Sequence, residues 1–314
     1  SESNNMALIG TAWANKRAGK HIISTSIEHP SVYNPLGVLE ELGFEVTILP
    51  VDHDGHISLK ELEEAIRPDT ILVSTMYVNN EVGAVEPVEE ISKVIKTKNP
   101  STLYHVDAIQ AYGKYVIRPK KQGIDLLSVS GHKIHGPKGV GFLYIRSGVK
   151  IKPLIYGGGQ QAGLRSGTEN VPGVAGLGVA AKEMYTDHAA KIQKLTELKD
   201  YMTDRLGEIE GTVVNSKKGA DSAPQIVSVS FEGVRSEVLL HALEDKNIYV
   251  SSGSACSSNH PGISGTLKGI GVPQKLLDST IRMSFSLFNT KEEIDYTIDV
   301  LKELVPVLRR YQRG

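Results

Sequence analysis

The run Ser130-Gly131-His132-Lys133-Ile134-His135-Gly136-Pro137-Lys138-Gly139-Val140-Gly141 holds a lysine in a loop of small residues and glycines. Apolar segments lead into it, Ile124 to Val129, and out of it, Val140 to Ile145, so two strands are expected to grip it. A lysine so placed can form a Schiff base with a carbonyl carbon if its surroundings lower its pKa. By itself it reads as a surface lysine, the usual fate of that residue. The second reactive group is Cys256, the single cysteine among 314 residues. It sits in the polar loop Ser251-Ser252-Gly253-Ser254-Ala255-Cys256-Ser257-Ser258. Lone cysteines are most often buried and inert, but nothing around this one suggests a core strand or helix face. As a thiolate it could attack sulfur.

An acid complements the lysine. Asp107 ends an apolar strand in His105-Val106-Asp107-Ala108-Ile109-Gln110. A pyridoxal phosphate enzyme needs a lysine for its Schiff base and a carboxylate that keeps the pyridinium nitrogen protonated. Asp107 also reads as an ordinary helix N-cap after a strand. Asp107 and Lys133 at two strand ends are more specific together than either is alone.

The elements that must position these groups follow a βαβα rhythm. Strands are expected at His21–Ser26, Phe44–Leu49, Thr70–Thr75 and Thr102–Val106. Between them lie helical patterns at Val32–Leu42, ended by Gly43, at Ser58–Ile66, with Ser58 and Glu61 at capping-box spacing, and at Val88–Lys98. Met6 to Trp13 is a further apolar-periodic stretch, with Ser1 or Ser3 as its N-cap. This order predicts an α/β fold with a mostly parallel sheet covered by helices. Ligands of such sheets sit beyond the carboxyl ends of the strands, where His29, Asn80, Asp107, Gln110 and Lys133 fall. After Gly157-Gly158-Gly159 the pattern changes. One long helical stretch, Val174 to Leu206, is expected to lead into a smaller α+β domain. That domain has strands near Gln225–Phe231, Ile248–Ser251 and Ile281–Ser286, and helices near Ser236–Asp245 and Lys291–Arg310. The expected division is 1–190 for a large domain and 191–314 for a small one.

Composition excludes several classes. Net charge is −1, so no basic field argues for nucleic acid. No apolar run approaches the length of a membrane span. One cysteine makes neither an internal disulfide nor a structural zinc site, so no metal is expected and a reducing, cytoplasmic compartment is the natural reading.

Four motifs carry a family resemblance. Asp107-Ala108-Ile109-Gln110, the Ser130 to Gly139 run, Gly163-Leu164-Arg165-Ser166-Gly167-Thr168-Glu169-Asn170 and Ser252-Gly253-Ser254-Ala255-Cys256-Ser257 closely resemble the cysteine desulfurases of the nitrogen-fixation and iron–sulfur-assembly type. These are class V aminotransferases, fold-type-I pyridoxal phosphate enzymes with a large domain built on a seven-stranded sheet. The resemblance covers the chain from residue 1 to its last helix. It implies that Lys133 carries the cofactor and that His29, in Glu28-His29-Pro30, stacks on its ring and assists proton transfer. It implies that Asn80 contacts ring substituents and substrate, that Asp107 holds the ring nitrogen and that Gln110 bonds the phenolic oxygen. Ser1, Ser130 and His132 resemble phosphate ligands, Thr168 resembles one given by a second subunit of a homodimer, and Arg282 resembles the arginine that takes the substrate carboxylate. Cys256 resembles the thiol that receives sulfur from L-cysteine as a persulfide, leaving alanine. The stretch from Cys256 to Arg282 resembles the long-loop branch, which passes sulfur directly to protein acceptors in iron–sulfur cluster assembly or tRNA thiolation. The resemblance also implies a preceding segment of several tens of residues, so the natural protein is expected to be longer. Two alternatives stay open: a related lyase or aminotransferase, such as a selenocysteine lyase, and a truncated homologue without catalysis.

Overall fold

Short β-branched runs such as Thr70–Met76 favour extended chain, and strands buried on both faces need no polar alternation. In the computed structural model these runs form a six-stranded sheet in the order β2-β1-β3-β4-β5-β6. Its strands are β1 (His21–Thr25), β2 (Glu45–Leu49), β3 (Thr70–Met76), β4 (Leu103–Asp107), β5 (Leu126–Ser130) and β6 (Gly141–Ile145). β1 to β5 pair in parallel, and β6 joins β5 antiparallel. Every residue of β1 and β3 is buried, whereas the edge strand β2 is mostly open. The sheet has six strands where the resemblance implies seven. The apolar run after β6, Ile151 to Tyr156, contains Pro153, which has no N–H for a ladder, and it forms no strand.

The structure describes residues 1–219, 222–252 and 264–311. Contacts divide the chain into two units. The first is Ser1–Val51, His56–Val78 and Glu86–Thr186; the second is Asp52–Gly55, Asn79–Val85 and Asp187–Gly314. In the first unit the sheet carries α1 (Glu2–Asn5), α2 (Thr11–Asn15), α3 (Pro30–Glu41), α4 (Leu59–Ala65), α5 (Val88–Lys98) and α6 (Val171–Tyr185). A wider π-helical stretch, Met6–Gly10, joins α1 to α2. α5 shows why these helices form: Val88, Ile91 and Ile95 make its buried stripe, acids fill its first turn and lysines its last. His29 caps α3, with Pro30 at the first helical position, where a missing N–H costs nothing. Buried Asp125 accepts from the Tyr104 amide (2.8 Å), Lys96 (2.7 Å) and Arg146 (2.5 Å), tying β4 to α5 and to the chain leaving β6.

The second unit has its own core. Its four-stranded sheet, in the order β7-β8-β10-β9, is antiparallel throughout. The strands are β7 (Thr212–Val214), β8 (Ile226–Phe231), β9 (Ser251–Ser252) and β10 (Thr280–Ser284), and the helices are α7 (His188–Leu206), α8 (Ser236–Glu244), α9 (Gly265–Gly269), α10 (Gln274–Leu277) and α11 (Lys291–Arg310). Leu206, Val229, Phe231, Leu243, Ile281, Ile298 and Leu301 are all fully buried in it. α11 opens with a reciprocal capping box between Thr290 and Glu293. The segment Asn79–Val85 is bound into this unit: Gly83 O accepts from Ala223 N at 2.8 Å, and Val82 O accepts from Ser216 Oγ at 2.7 Å.

Two expectations need correction. The single helix over 174–206 is two helices, because Asp187 turns into left-handed backbone (φ 49°). Ile248 to Val250 makes no ladder; only Ser251 and Ser252 pair, with Arg282 and Ile281. In the described part of the stretch before Arg282, Ser264 caps the short helix α9 through the Leu267 amide and α10 follows. No helix among the described residues is long and apolar enough to cross a membrane.

Candidate active site

The groups expected to do chemistry in the first unit gather beyond the carboxyl ends of β1, β4 and β5. Asp107 is the last residue of β4 and is buried. Its Oδ2 accepts from Asn4 Nδ2 at 2.8 Å and its Oδ1 from the Ile109 amide at 3.0 Å. The same Asn4 Nδ2 lies 2.9 Å from Ser31 Oγ, and Ser31 Oγ lies 2.9 Å from His29 Nδ1. A side-chain chain thus runs Asp107–Asn4–Ser31–His29. Burial pushes the Asp107 carboxyl up from its ordinary range, against the two donated hydrogen bonds.

His29 accepts the Ser31 amide on Nδ1 at 3.1 Å, which places the proton of the neutral ring on Nε2. Burial pushes this imidazole down and the charge of Lys133 adds to that, while Asp107 pulls it back up. His29 therefore stands within the electrostatic reach of both Asp107 and Lys133. Lys133 itself is half-buried in the tight 3-10 turn Gly131–Ile134 that follows β5. Ser130 Oγ and His132 Nδ1 lie 2.7 Å apart at the start of that turn. Burial and then Lys133 push His132 down as well. Ser1 is exposed and stands at the N-cap of α1. Gln110 follows Asp107 in the next turn, half-buried. Thr168 is exposed, in a loop whose Arg165 pairs with Glu2 at 2.7 Å.

Asn80 and Arg282 belong to the second unit and are bonded to one another. Arg282 Nη1 donates to Asn80 O at 2.8 Å and Nη2 donates to Ser251 Oγ at 3.1 Å. The fork is thereby aimed, while its buried Nε has no partner among the described residues. Neighbouring Glu81 accepts from Ser264 Oγ at 2.5 Å, and burial pushes its carboxyl up. Cys256 lies outside the described residues.

Sequence reasoning passed over three residues here. Asn4 sits in the quoted run Ser1-Glu2-Ser3-Asn4-Asn5, but only its complete burial separates it from a helix-surface amide. Ser31 follows Pro30 and reads as a first-turn residue. Glu28 adjoins His29; its Oε1 accepts from Thr25 (2.7 Å) and the Met76 amide (2.8 Å), while Oε2 is shut away from solvent with no partner among the described residues. A fourth buried polar side chain, His105, touches Ser74 and Ser128 through its two ring nitrogens, and burial pushes it down to about 3. It is a neutral rivet across β3, β4 and β5.

This arrangement coincides with a known family. The chain belongs to the aminotransferase class-V family, whose pattern matches residues 1–297. Among its relatives, the cysteine desulfurase IscS of Dictyoglomus turgidum is 43% identical over 308 residues, covering 98% of this chain and 78% of that protein. The cysteine desulfurase IscS of Methanosarcina thermophila is 45% identical over 308 residues, covering 98% of this chain and 76% of that protein. A solved NifS-like protein superposes with a TM-score of 0.92 at 38% identity, covering 98% of this chain and 80% of that one.

Pyridoxal phosphate, the cofactor this family implies, fits the groups present. Asp107 is a buried carboxylate held by two neutral donors, and no cationic side chain bonds to it among the described residues. A protonated ring nitrogen is the countercharge such a group lacks. Lys133, the amine that would hold the aldehyde, is close enough to perturb the same histidine that Asp107 perturbs.

Glu28 gives this unit a pH signature. Burial pushes its carboxyl from 4.5 to about 8. Between those values the folded state keeps a proton that the unfolded chain releases, so stability falls as pH rises through this window. Glu28→Gln keeps the acceptor for Thr25 and Met76 without the ionisation. Urea unfolding should show the wild type losing on the order of 2–4 kcal/mol against this variant across the window. Parallel pH profiles for the two proteins would contradict the assignment.

Proposed function

We propose that this protein is a pyridoxal phosphate-dependent L-cysteine desulfurase that yields L-alanine and takes the sulfur onto Cys256 as a persulfide. One observation carries the reading: the buried Asp107 carboxylate, fixed by Asn4 and joined through Ser31 to His29, within reach of the charge field of Lys133. The likeness to cysteine desulfurases over nearly the whole chain supports it.

When bound, the cofactor supplies an electron sink that draws charge from the carbons of the amino acid. The protein's own groups do the rest. Asp107 holds a proton on the basic ring nitrogen placed against it. Lys133 would hold the cofactor through its amine, and its free Nζ is the group that would move the proton from Cα of the substrate. His29, neutral with Nε2–H, would face the ring, and Asn80 and Gln110 would offer amide contacts to its substituents. Ser1, Ser130 and His132 take the phosphate. Arg282 binds the substrate carboxylate, a task that suits a planar fork better than an ammonium. The Cys256 thiolate then attacks the substrate Sγ. An S–S bond forms as the Cβ–Sγ bond breaks; the electron pair stays on carbon, which takes a proton and leaves as alanine. No external oxidant is needed, because sulfur passes to the enzyme at its new oxidation level.

The same reading makes the protein a cytoplasmic homodimer that hands sulfur to a protein acceptor for iron–sulfur assembly or tRNA thiolation. The support for a second copy is a helix face. α6 exposes Val171, Val174 and Val179, and Ile155 and Tyr156 are exposed in the same unit. Exposed valines on one helix are what a partner surface would cover, and a second copy would bring the partner subunit's Thr168 to the phosphate.

Two outcomes follow. Purified protein given pyridoxal phosphate and L-cysteine should form alanine with persulfide on Cys256, and Cys256→Ala or Lys133→Ala should cut alanine formation by about 10²-fold or more. Undiminished alanine from Cys256→Ala would sink the persulfide route. Sedimentation should find the wild type dimeric and the double variant Val174→Asp, Val179→Asp monomeric, with activity lost alongside. A monomeric, active wild type would refute the dimer.

A further inference from the structure

A second lysine sits against Lys133 and has no part in the scheme above. Lys114 follows the turn after β4 and is only 8% exposed. Its Nζ donates to the Lys133 carbonyl at 2.6 Å. Among the described residues this ammonium, with three protons to donate, finds no other acceptor and no carboxylate. Burying a charge against one neutral oxygen is costly, and a hydrophobic side chain of similar length would stabilise the site better. Its burial therefore calls for a reason beyond stability.

The packing shows where this lysine is aimed. Gly113, with φ at +83°, has no room for a side chain: a Cβ there would stand 2.7 Å from Ile134 Cγ2. The Gly113–Lys114 turn is thus pressed onto the 3-10 turn that carries Lys133. Tyr185 closes the other side, accepting the Gly113 amide at 3.0 Å and donating to Tyr115 O at 3.1 Å. The turn has little freedom to swing the ammonium away.

We propose that Lys114 is a positioning residue for Lys133: it pins the Lys133 carbonyl and sets a second positive charge beside the Lys133 amine. Like charges so placed oppose protonation, as in other sites where a neighbouring cation keeps a lysine nucleophilic. The effect shows on Lys114 itself, which burial, and then the charge of Lys133, push down to about 8. Among the described residues His29 and His132 also feel the Lys133 charge, and both are pushed toward the neutral form. Lys114 is then the standing cation. The inference rests on the reading of Lys133 as the cofactor-bearing residue.

The test is the pH titration of the visible absorbance of the holoenzyme, which follows the protonation of the nitrogen that Lys133 contributes. Lys114→Met should move the midpoint upward by about one pH unit, since a repelling charge is gone. Lys114→Gln, which keeps a donor for the Lys133 carbonyl, should shift it the same way, and it carries the test if the Met variant does not fold. A midpoint unchanged in both, with only the melting temperature lowered, would overturn the proposal and leave Lys114 a structural residue. Lys133→Ala separates the two readings. A covalent cofactor band that survives in Lys133→Ala overturns the cofactor assignment and this inference with it. A lost band together with unmoved Lys114 midpoints overturns this inference alone.

Discussion

A carboxylate buried at the end of a β-strand is an unstable thing to build, and the first unit is organised around one. Among the described residues Asp107 has two neutral donors and no cationic partner, so its burial raises the energy of its charged form. The sheet fixes its backbone, and the first helix of the chain supplies Asn4 to hold the side chain. The helix after β1 supplies Ser31 and His29. The site is poised for a cation that the protein alone does not provide, which is why a protonated ring nitrogen is a natural occupant.

Charge of both signs is handled by burial here. His29, His105 and His132 are all pushed toward neutrality, and Glu28 is pushed toward its protonated form. The result is a set of neutral donors and acceptors in the same unit as two retained charges, Asp107 and Lys114. In the second unit the logic is different. Arg282 is held by Asn80 and Ser251, so its fork is oriented before any carboxylate arrives, and less ordering remains to be done on binding.

Much of the fold was legible in the sequence because parallel strands buried on both faces read as short runs of aliphatic and hydroxyl residues without strict polar alternation. β1, β3 and β5 are of this kind, and the polar residues that follow them fell at strand ends as expected. What was not legible is tertiary. The segment 79–85 clusters with the second unit through bonds to residues more than a hundred positions away, such as Ser216 to Val82. The break before α7 rests on Asp187 adopting left-handed backbone, where no glycine or proline marks the spot. In the site, Lys133, Asp107 and His29 stand out by type and spacing. Asn4, Ser31 and Lys114 do not, because a helix amide, a first-turn serine and a lysine after a glycine are ordinary until burial and partners are known.

Asp107 is a buried charge that waits for a cation, and the rest of the site depends on it. Melting temperatures of wild type and Asp107→Asn, each with and without pyridoxal phosphate, test this directly. Without cofactor the asparagine variant should melt at the same temperature or higher, since it sheds the burial cost of the carboxyl. With cofactor the wild type should gain far more than the variant, since binding stabilises the fold only as tightly as the site holds its ligand. An equal gain in the two proteins would mean that the carboxylate does not meet the ring nitrogen, and the central claim would be wrong.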